Sequence, residues 1–489
     1  MHRLLVLLLY LVSLGVEAAT PGLDLDFEFP SSIDVPTEKN NLIKYDFGGY
    51  VKNETAYRFD EPRIYTKIRN ILQLKNEVSI GKWSKFVATG WGYYDSVYDV
   101  FDEETIAARY VREEKEVLTF VELIIAGQER DQKRAELREL YLDLYIKNLD
   151  LRIGKQYVIW GVLEGMRIVD EINPMDFREL ILPGLLDYRI PLWTLKADYY
   201  GENASLQLLW IPELKFHQPA VKGSEWELFQ VLPSTTQPNN FDPMYSEFGV
   251  RLSTRINETD LALSYFYTWD DYPATFRIIS IDDVTSVETS NELAILPTYT
   301  RMTMYGLTAT REIGGDILKA EFAYVTGKYF AIEDHYEDGF LVSDGEVQRD
   351  HIRWGIGYDF SLWGADFSPS ISQWMILDYS PDILSRRFDT TFNVFLRKPL
   401  QKQSAVFTLL YIRLIEFQED YIKPKITFNL TNQFQVMFGL DLFTGNRTQF
   451  GRAFSTIDPG GLTDVEQRAQ FLGNFRDNRR VFLEFKYDF

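Results

Sequence analysis

From about residue 44 onward, hydrophobic side chains recur at every second position. Leu140, Leu142, Leu144 and Ile146 interleave with Tyr141, Asp143, Tyr145 and Lys147. Ile352, Trp354, Ile356, Tyr358 and Phe360 alternate with His351, Arg353, Gly355, Gly357 and Asp359, and Phe434 to Leu442 repeats the pattern. A helix would scatter such residues over opposite faces, whereas a strand gathers them on one. The alternation predicts strands over 44–52, 63–74, 77–94, 137–147, 149–157, 192–201, 204–211, 245–256, 260–270, 299–311, 316–326, 349–360, 366–379, 388–398, 404–416, 422–431, 433–443 and 480–489. That is eighteen strands. Gly48-Gly49 interrupts the first, which leaves sixteen as the alternative, and 115–126 reads as part of a folded loop.

A soluble sandwich and a membrane barrel both use such strands, and the connections separate them. Short turns near Asn76, Asn148, Asn203, Asn257, Gly314, Trp363, Pro399 and Asn432 alternate with long polar stretches at 95–136, 158–190, 212–244, 271–298, 327–348 and 444–479. Short periplasmic turns and long external loops are the plan of an up-and-down antiparallel transmembrane β-barrel. Trp83, Trp91, Trp210, Tyr267, Trp269 and Tyr379 lie near strand ends, where interfacial girdles are expected. The chain closes on an alternating strand ending in Phe489, which looks like the assembly signal of bacterial outer-membrane barrels.

The first residues agree with that compartment. His2 and Arg3 precede an apolar run, Leu4 to Leu14, followed by small residues up to Ala18, which predicts a signal peptide over 1–18. Residues 19–43 read as a periplasmic lead-in and 44–489 as the barrel, a cell outer membrane protein of a Gram-negative envelope. Aromatic residues make up 15 % of the chain, more than a soluble core needs, which fits a lipid-facing surface. With Lys+Arg 51 against Asp+Glu 72, the net charge of -21 argues against nucleic acid as a partner. The partners implied are outer-membrane lipid and the barrel-assembly machinery. The absence of cysteine excludes disulfides, a thiol nucleophile and Cys-ligated metals. His217, His335 and His351 fall in loops or at a loop edge without a nucleophile motif, so no catalytic residue, metal site or cofactor is assigned.

If the apolar parity faces lipid, charges on the other parity face the lumen, because Arg or Lys in the acyl region costs roughly 2–4 kcal/mol. This predicts Arg152, Lys196, Arg251, Arg255, Arg301, Arg353, Arg397 and Arg413 as pore-lining. The loop after the fifth strand carries Arg167, Asp170, Glu171, Asp176, Arg178 and Glu179. Asn173-Pro174 opens a turn in it, and a short helix over 177–180 is expected to stop before Pro183-Gly184. The loop either folds inward to constrict the pore or packs outward as a lid, and the inward version is the one adopted.

This stretch carries a motif: Gly154, Gln156, Trp160, Gly161, Asn173, Pro174, Asp176, Pro183, Gly184 and Pro191. It resembles a proteobacterial outer-membrane, porin-like family of unknown function, often encoded beside RND-type exporters of hydrophobic molecules. Val162-Leu163-Glu164 departs from that pattern, where an acid usually follows Trp-Gly directly. The resemblance implies envelope transport: a channel for passive or exporter-coupled passage of small or hydrophobic solutes. Two alternatives are a plugged barrel serving an inner-membrane exporter and, more remotely, a barrel hydrolase.

Overall fold

The computed structural model describes residues 42–102, 105–106, 131–182, 184, 187–221, 224–226, 235, 237–280, 292–333, 335–337, 340–341, 343–400, 404–445 and 472–489. The expected signal peptide, nearly all of the lead-in, the 115–126 stretch and much of the 444–479 loop lie outside them. The strands are β1 (Ile43–Arg58), β2 (Ile64–Ile80), β3 (Ser84–Asp95), β4 (Lys133–Ile146), β5 (Leu149–Gln156), β6 (Leu192–Tyr200), β7 (Ala204–Ile211), β8 (Glu247–Ile256) and β9 (Thr259–Trp269). A loop hairpin follows, β10 (Ala274–Ser280) with β11 (Glu292–Thr298), then β12 (Arg301–Ile313) and β13 (Asp316–Ala331). A second loop hairpin, β14 (Tyr336–Glu337) with β15 (Phe340–Leu341), precedes β16 (Glu346–Leu362), β17 (Ala365–Ile376), β18 (Phe388–Leu400), β19 (Ala405–Leu414), β20 (Glu419–Asn429), β21 (Phe434–Thr444) and β22 (Arg480–Asp488).

Leaving out the two loop hairpins, eighteen strands form one antiparallel sheet in which each strand pairs with its neighbours in sequence. β22 returns to β1, from Tyr50 opposite Asp488 to Arg58 opposite Arg480, and closes the barrel. Leu42 and Phe489 lie at the rim of short turns, since Gly81 donates to the Leu42 carbonyl and Gly49 exchanges hydrogen bonds with Phe489 at 2.9 and 3.0 Å. Closure pairs every barrel strand on both sides, apart from the 43–48 overhang of β1 at the turn rim, and such pairing is the condition for crossing lipid with strands. No helix among the described residues is long and apolar enough to cross a membrane.

The outward rows hold the belt that lipid requires. Leu72, Leu142, Leu208, Leu252, Leu263, Tyr305, Phe322, Ile356, Phe438 and Phe485 stand exposed on them, Leu263 by 58 %. Soluble monomers rarely present so continuous an apolar band to water. Trp210, Tyr267 and Trp269 lie on the same outward rows. Trp91 does not: the Arg138 guanidinium stacks over it at 4.1 Å inside the barrel. Tyr379 packs against a loop cluster around Ile383 and Phe330.

Four further local expectations change. The first short turn falls at Gly81-Lys82-Trp83 and not at Asn76, where the ladder continues with Asn76 opposite Phe47 and Ala88. Gly81 adopts φ +57°, which the turn requires and Asn76 does not supply. The predicted helical turn over 177–180 is a run of turns, because Leu180 at φ +56° cannot continue a helix.

Arg301 is not pore-lining. It sits opposite Trp269 on the outward row, its guanidinium 4.1 Å from the Trp269 ring and 4.7 Å from Tyr267. It reaches the carbonyls of Ser246 and Met244, both at 3.2 Å, so the charge escapes to the rim while the stem lies along the aromatics. Arg413 is also on the outer face. In register opposite Phe392, it pairs with Asp420 at 2.8 Å, while Leu410, Ile412 and Leu414 of the same strand point inward. The parity argument fails on β19 because its inner face is apolar too, packed against Leu180, Leu182, Trp226, Tyr421, Phe443, Leu472 and Phe475.

Candidate functional site

The 157–191 loop, between β5 and β6, folds inward and crosses the lumen. Its entry is set by Gly154 at φ +135°, where a Cβ would collide with the Leu140 carbonyl. Gln156, fully buried, donates to the Thr194 carbonyl at 3.0 Å. Asn173 ties the two ends of the loop together: its Oδ1 accepts the Val158 N–H at 2.8 Å and its Nδ2 donates to the Ile190 carbonyl at 2.9 Å. The Ile190 N–H donates in turn to the Pro174 carbonyl at 2.8 Å.

On the far side of the lumen, one β13 carboxylate receives three of the loop's backbone donors. Glu321 accepts N–H groups from Val162, from Leu163 at 2.6 Å and from Val169 at 3.2 Å. Trp160 donates its Nε1–H to Gln207 Oε1 at 2.6 Å and packs edge-on against Phe266. Small wall residues make room for this approach. A Cβ on Gly249 would lie 2.8 Å from Trp160, and one on Gly357 would lie 2.7 Å from Leu163. Gly306 and Gly355 would collide with Val169 and Ile168. Glycine inside a strand marks such a close approach of another segment. The resulting cluster, Trp160, Ile168, Val169 and Ile172 with Phe266, Met302, Met304 and Val325, is a dry core inside the barrel.

The loop's charges close ion pairs with the surrounding wall. Glu171 pairs with Arg353 of β16 at 2.6 Å, and Asp176 with Arg134 of β4 at 2.6 Å. Glu179 meets both Lys67 and Arg69 of β2. Glu164 reaches Lys319 at 3.3 Å, and Lys423 of β20 donates to the Leu182 carbonyl at 2.5 Å. Within the loop, Arg178 pairs with Asp176 at 2.7 Å, Arg189 with Asp170, and Arg167 donates to the carbonyls of Asp170 at 2.8 Å and Asn173 at 3.0 Å. Burial alone would raise the Glu179 carboxyl, but Arg69 and Lys67 outweigh it and hold it down to about 2. All six charged loop residues singled out in the sequence thus serve to seat the loop. His217 accepts the Met175 N–H at 2.9 Å, and burial with Arg167 and Lys328 nearby keeps it well below its usual value. It acts as a neutral tie on the loop.

Five of the predicted wall cations keep inward positions with carboxylate partners. Arg152 pairs with Asp143 at 2.6 Å, Lys196 with Asp198 at 3.1 Å, Arg353 with Glu171, and Arg397 with Asp366 at 3.6 Å. Arg255 faces Asp260 at 3.7 Å near the β8–β9 turn. With Arg251 it lines a cavity of about 510 Å³ beneath the loop, whose wall also includes Ser205, Ser253, Thr308 and Thr310. Glu321 and Asn173 went unrecognised as anchors. The signal that could have found the seat is the set of inward glycines, Gly249, Gly306, Gly355 and Gly357, in strand interiors. Among the described residues, no three acidic or histidine side chains are placed to hold a metal ion.

A family model described as a protein of unknown function, DUF1302, matches residues 40–374. No curated protein matches the chain. Among solved structures, it is similar to OccAB2 of Acinetobacter baumannii at 9 % identity and a TM-score of 0.49, over 91 % of this chain and 98 % of that one. It is similar to OccK8 (OprE) of Pseudomonas aeruginosa at 10 % identity and a TM-score of 0.46, over 91 % and 98 %. OmpT, an outer membrane protein of Vibrio cholerae, aligns at 7 % identity and a TM-score of 0.38, over 92 % and 99 %.

Proposed function

The chain belongs to the DUF1302 family of proteins of unknown function, and from that membership and its geometry we propose that it is an outer-membrane channel constricted by its own inward-folded loop. The observation that carries this reading is a closed barrel with a lipid-facing belt whose lumen retains a polar cavity below a loop seated on ion pairs. Passage would be passive, set by the width the 157–191 loop leaves free and by the charges lining it. The solutes we propose are small, or hydrophobic if passage is coupled to an RND-type exporter.

The test is single-channel conductance of the purified protein in a planar bilayer. Steady, low conductance is the expected result. A second reading is favoured by the dry cluster around Trp160 and Ile168, which packs like a protein core and not like a water-filled eyelet. On that reading the barrel is plugged and opens only with an exporter partner. A correctly folded barrel that never conducts alone would select it.

A further inference from the structure

We propose that the cavity beneath the loop is a binding site for small hydroxylated carboxylates, with Arg251 as its anchoring cation. This rests on the channel reading above and names the class of solute it serves. Arg152, Lys196, Arg353 and Arg397 each have a carboxylate at hydrogen-bond or ion-pair distance. Arg251 has neither a hydrogen bond nor an ion pair with any described residue, although it is half-buried. Its register neighbours are Gln207 and Ser264. Gln207 is already committed, accepting from Trp160 at 2.6 Å and donating to Asp198 at 2.6 Å. The carboxylates that act on Arg251 through space are likewise engaged: Glu321 by three backbone N–H groups, Asp170 by Arg189 and Asp198 by Lys196.

A guanidinium with its donors free in a recess is matched by a carboxylate, which takes two parallel N–H bonds from it. The rest of the wall suits a hydroxylated body. Ser205, Ser253, Thr308 and Thr310 offer hydroxyls, and Val162 of the loop forms the roof. The acids of the cavity, Glu202 and Asp260, lie at the turn end beside Arg255. Arg251 stands four residues up β8 from Arg255, about 13 Å at strand rise, so the end of the cavity away from the turn carries a guanidinium with no carboxylate in direct contact. A cavity of about 510 Å³ falls within the usual range for a small-molecule site.

The experiment is calorimetric titration of the detergent-solubilised barrel with gluconate, and with glucose as its uncharged counterpart, run beside bilayer conductance. Saturable gluconate binding without glucose binding is expected. Arg251→Gln should weaken it at least roughly tenfold, Arg251→Lys should retain part of it, and Arg255→Gln should change it less than about threefold. Equal binding by wild type and Arg251→Gln, or no gluconate binding by a folded wild type, overturns the site. A barrel that binds gluconate through Arg251 but never conducts would keep the site and remove the channel, and one that conducts without binding would do the reverse.

Discussion

Asn173 and Glu179 show what single side chains do in this lumen. Asn173→Ala would leave the Val158 N–H and the Ile190 carbonyl buried without partners, at about 1–3 kcal/mol each. The barrel should still migrate as a heat-modifiable folded band, while the 157–191 loop becomes open to limited proteolysis; unchanged protection would show that Asn173 is not its anchor. Glu179 gives the loop a pH dependence. Because its folded value of about 2 lies below the ordinary 4.5, its contribution is complete above pH 4.5 and is lost as the pH falls toward 2. Conductance should therefore rise reversibly on acidification from pH 5 to pH 3. Glu179→Gln should reproduce the acid state at pH 7, at a cost of about 3 kcal/mol or less, since Glu54 remains beside Lys67 and Asp95 beside Arg69. A variant with wild-type conductance across that range would count against the latch. The motif around these residues was visible in the sequence as a resemblance, yet its physical meaning was not. The residues it joins lie far apart along the chain, and only the fold brings Glu321 to Val162.

Among the elements, the strands were the most legible because a two-residue period survives wherever one face meets lipid and the other meets water. Every one of the eighteen was anticipated, with β2 and β3 exchanging a few residues at their turn. β19 is the instructive exception. Its lipid face and its lumen face are both apolar, so alternation carries no orientation and Arg413 was assigned to the wrong side. The loop was legible as a charged, turn-rich stretch, but its direction was open until the wall glycines showed where it lands. Deleting 170–180 would remove the pairs to Arg353, Arg134, Lys67 and Arg69 in one step. Conductance should then increase roughly twofold or more, as expected when the narrowest segment of a pore is cut away. No change would mean that the remaining Trp160 and Val169 contacts set the width.

At the scale of the whole molecule, the seam between β1 and β22 decides whether a barrel exists at all. Phe489 exchanges two backbone hydrogen bonds with Gly49, and its ring lies 6.2 Å from Phe47. Removing Phe489 should leave much of the protein as periplasmic aggregate without a heat-modifiable band; normal assembly would show that β22 alone suffices. The same seam has a consequence in time. It joins residues as distant as Gly49 and Phe489, a contact of very long range along the chain, and such contacts form late. The loop that fills the interior belongs to a hairpin made much earlier in the chain, and its partners span β2 to β20. Once the ring is sealed, those partners can be reached only through the outer mouth. Assembly is therefore a question of order: either the loop is gathered in while the sheet is still an open curve, or it must be drawn inside a finished wall.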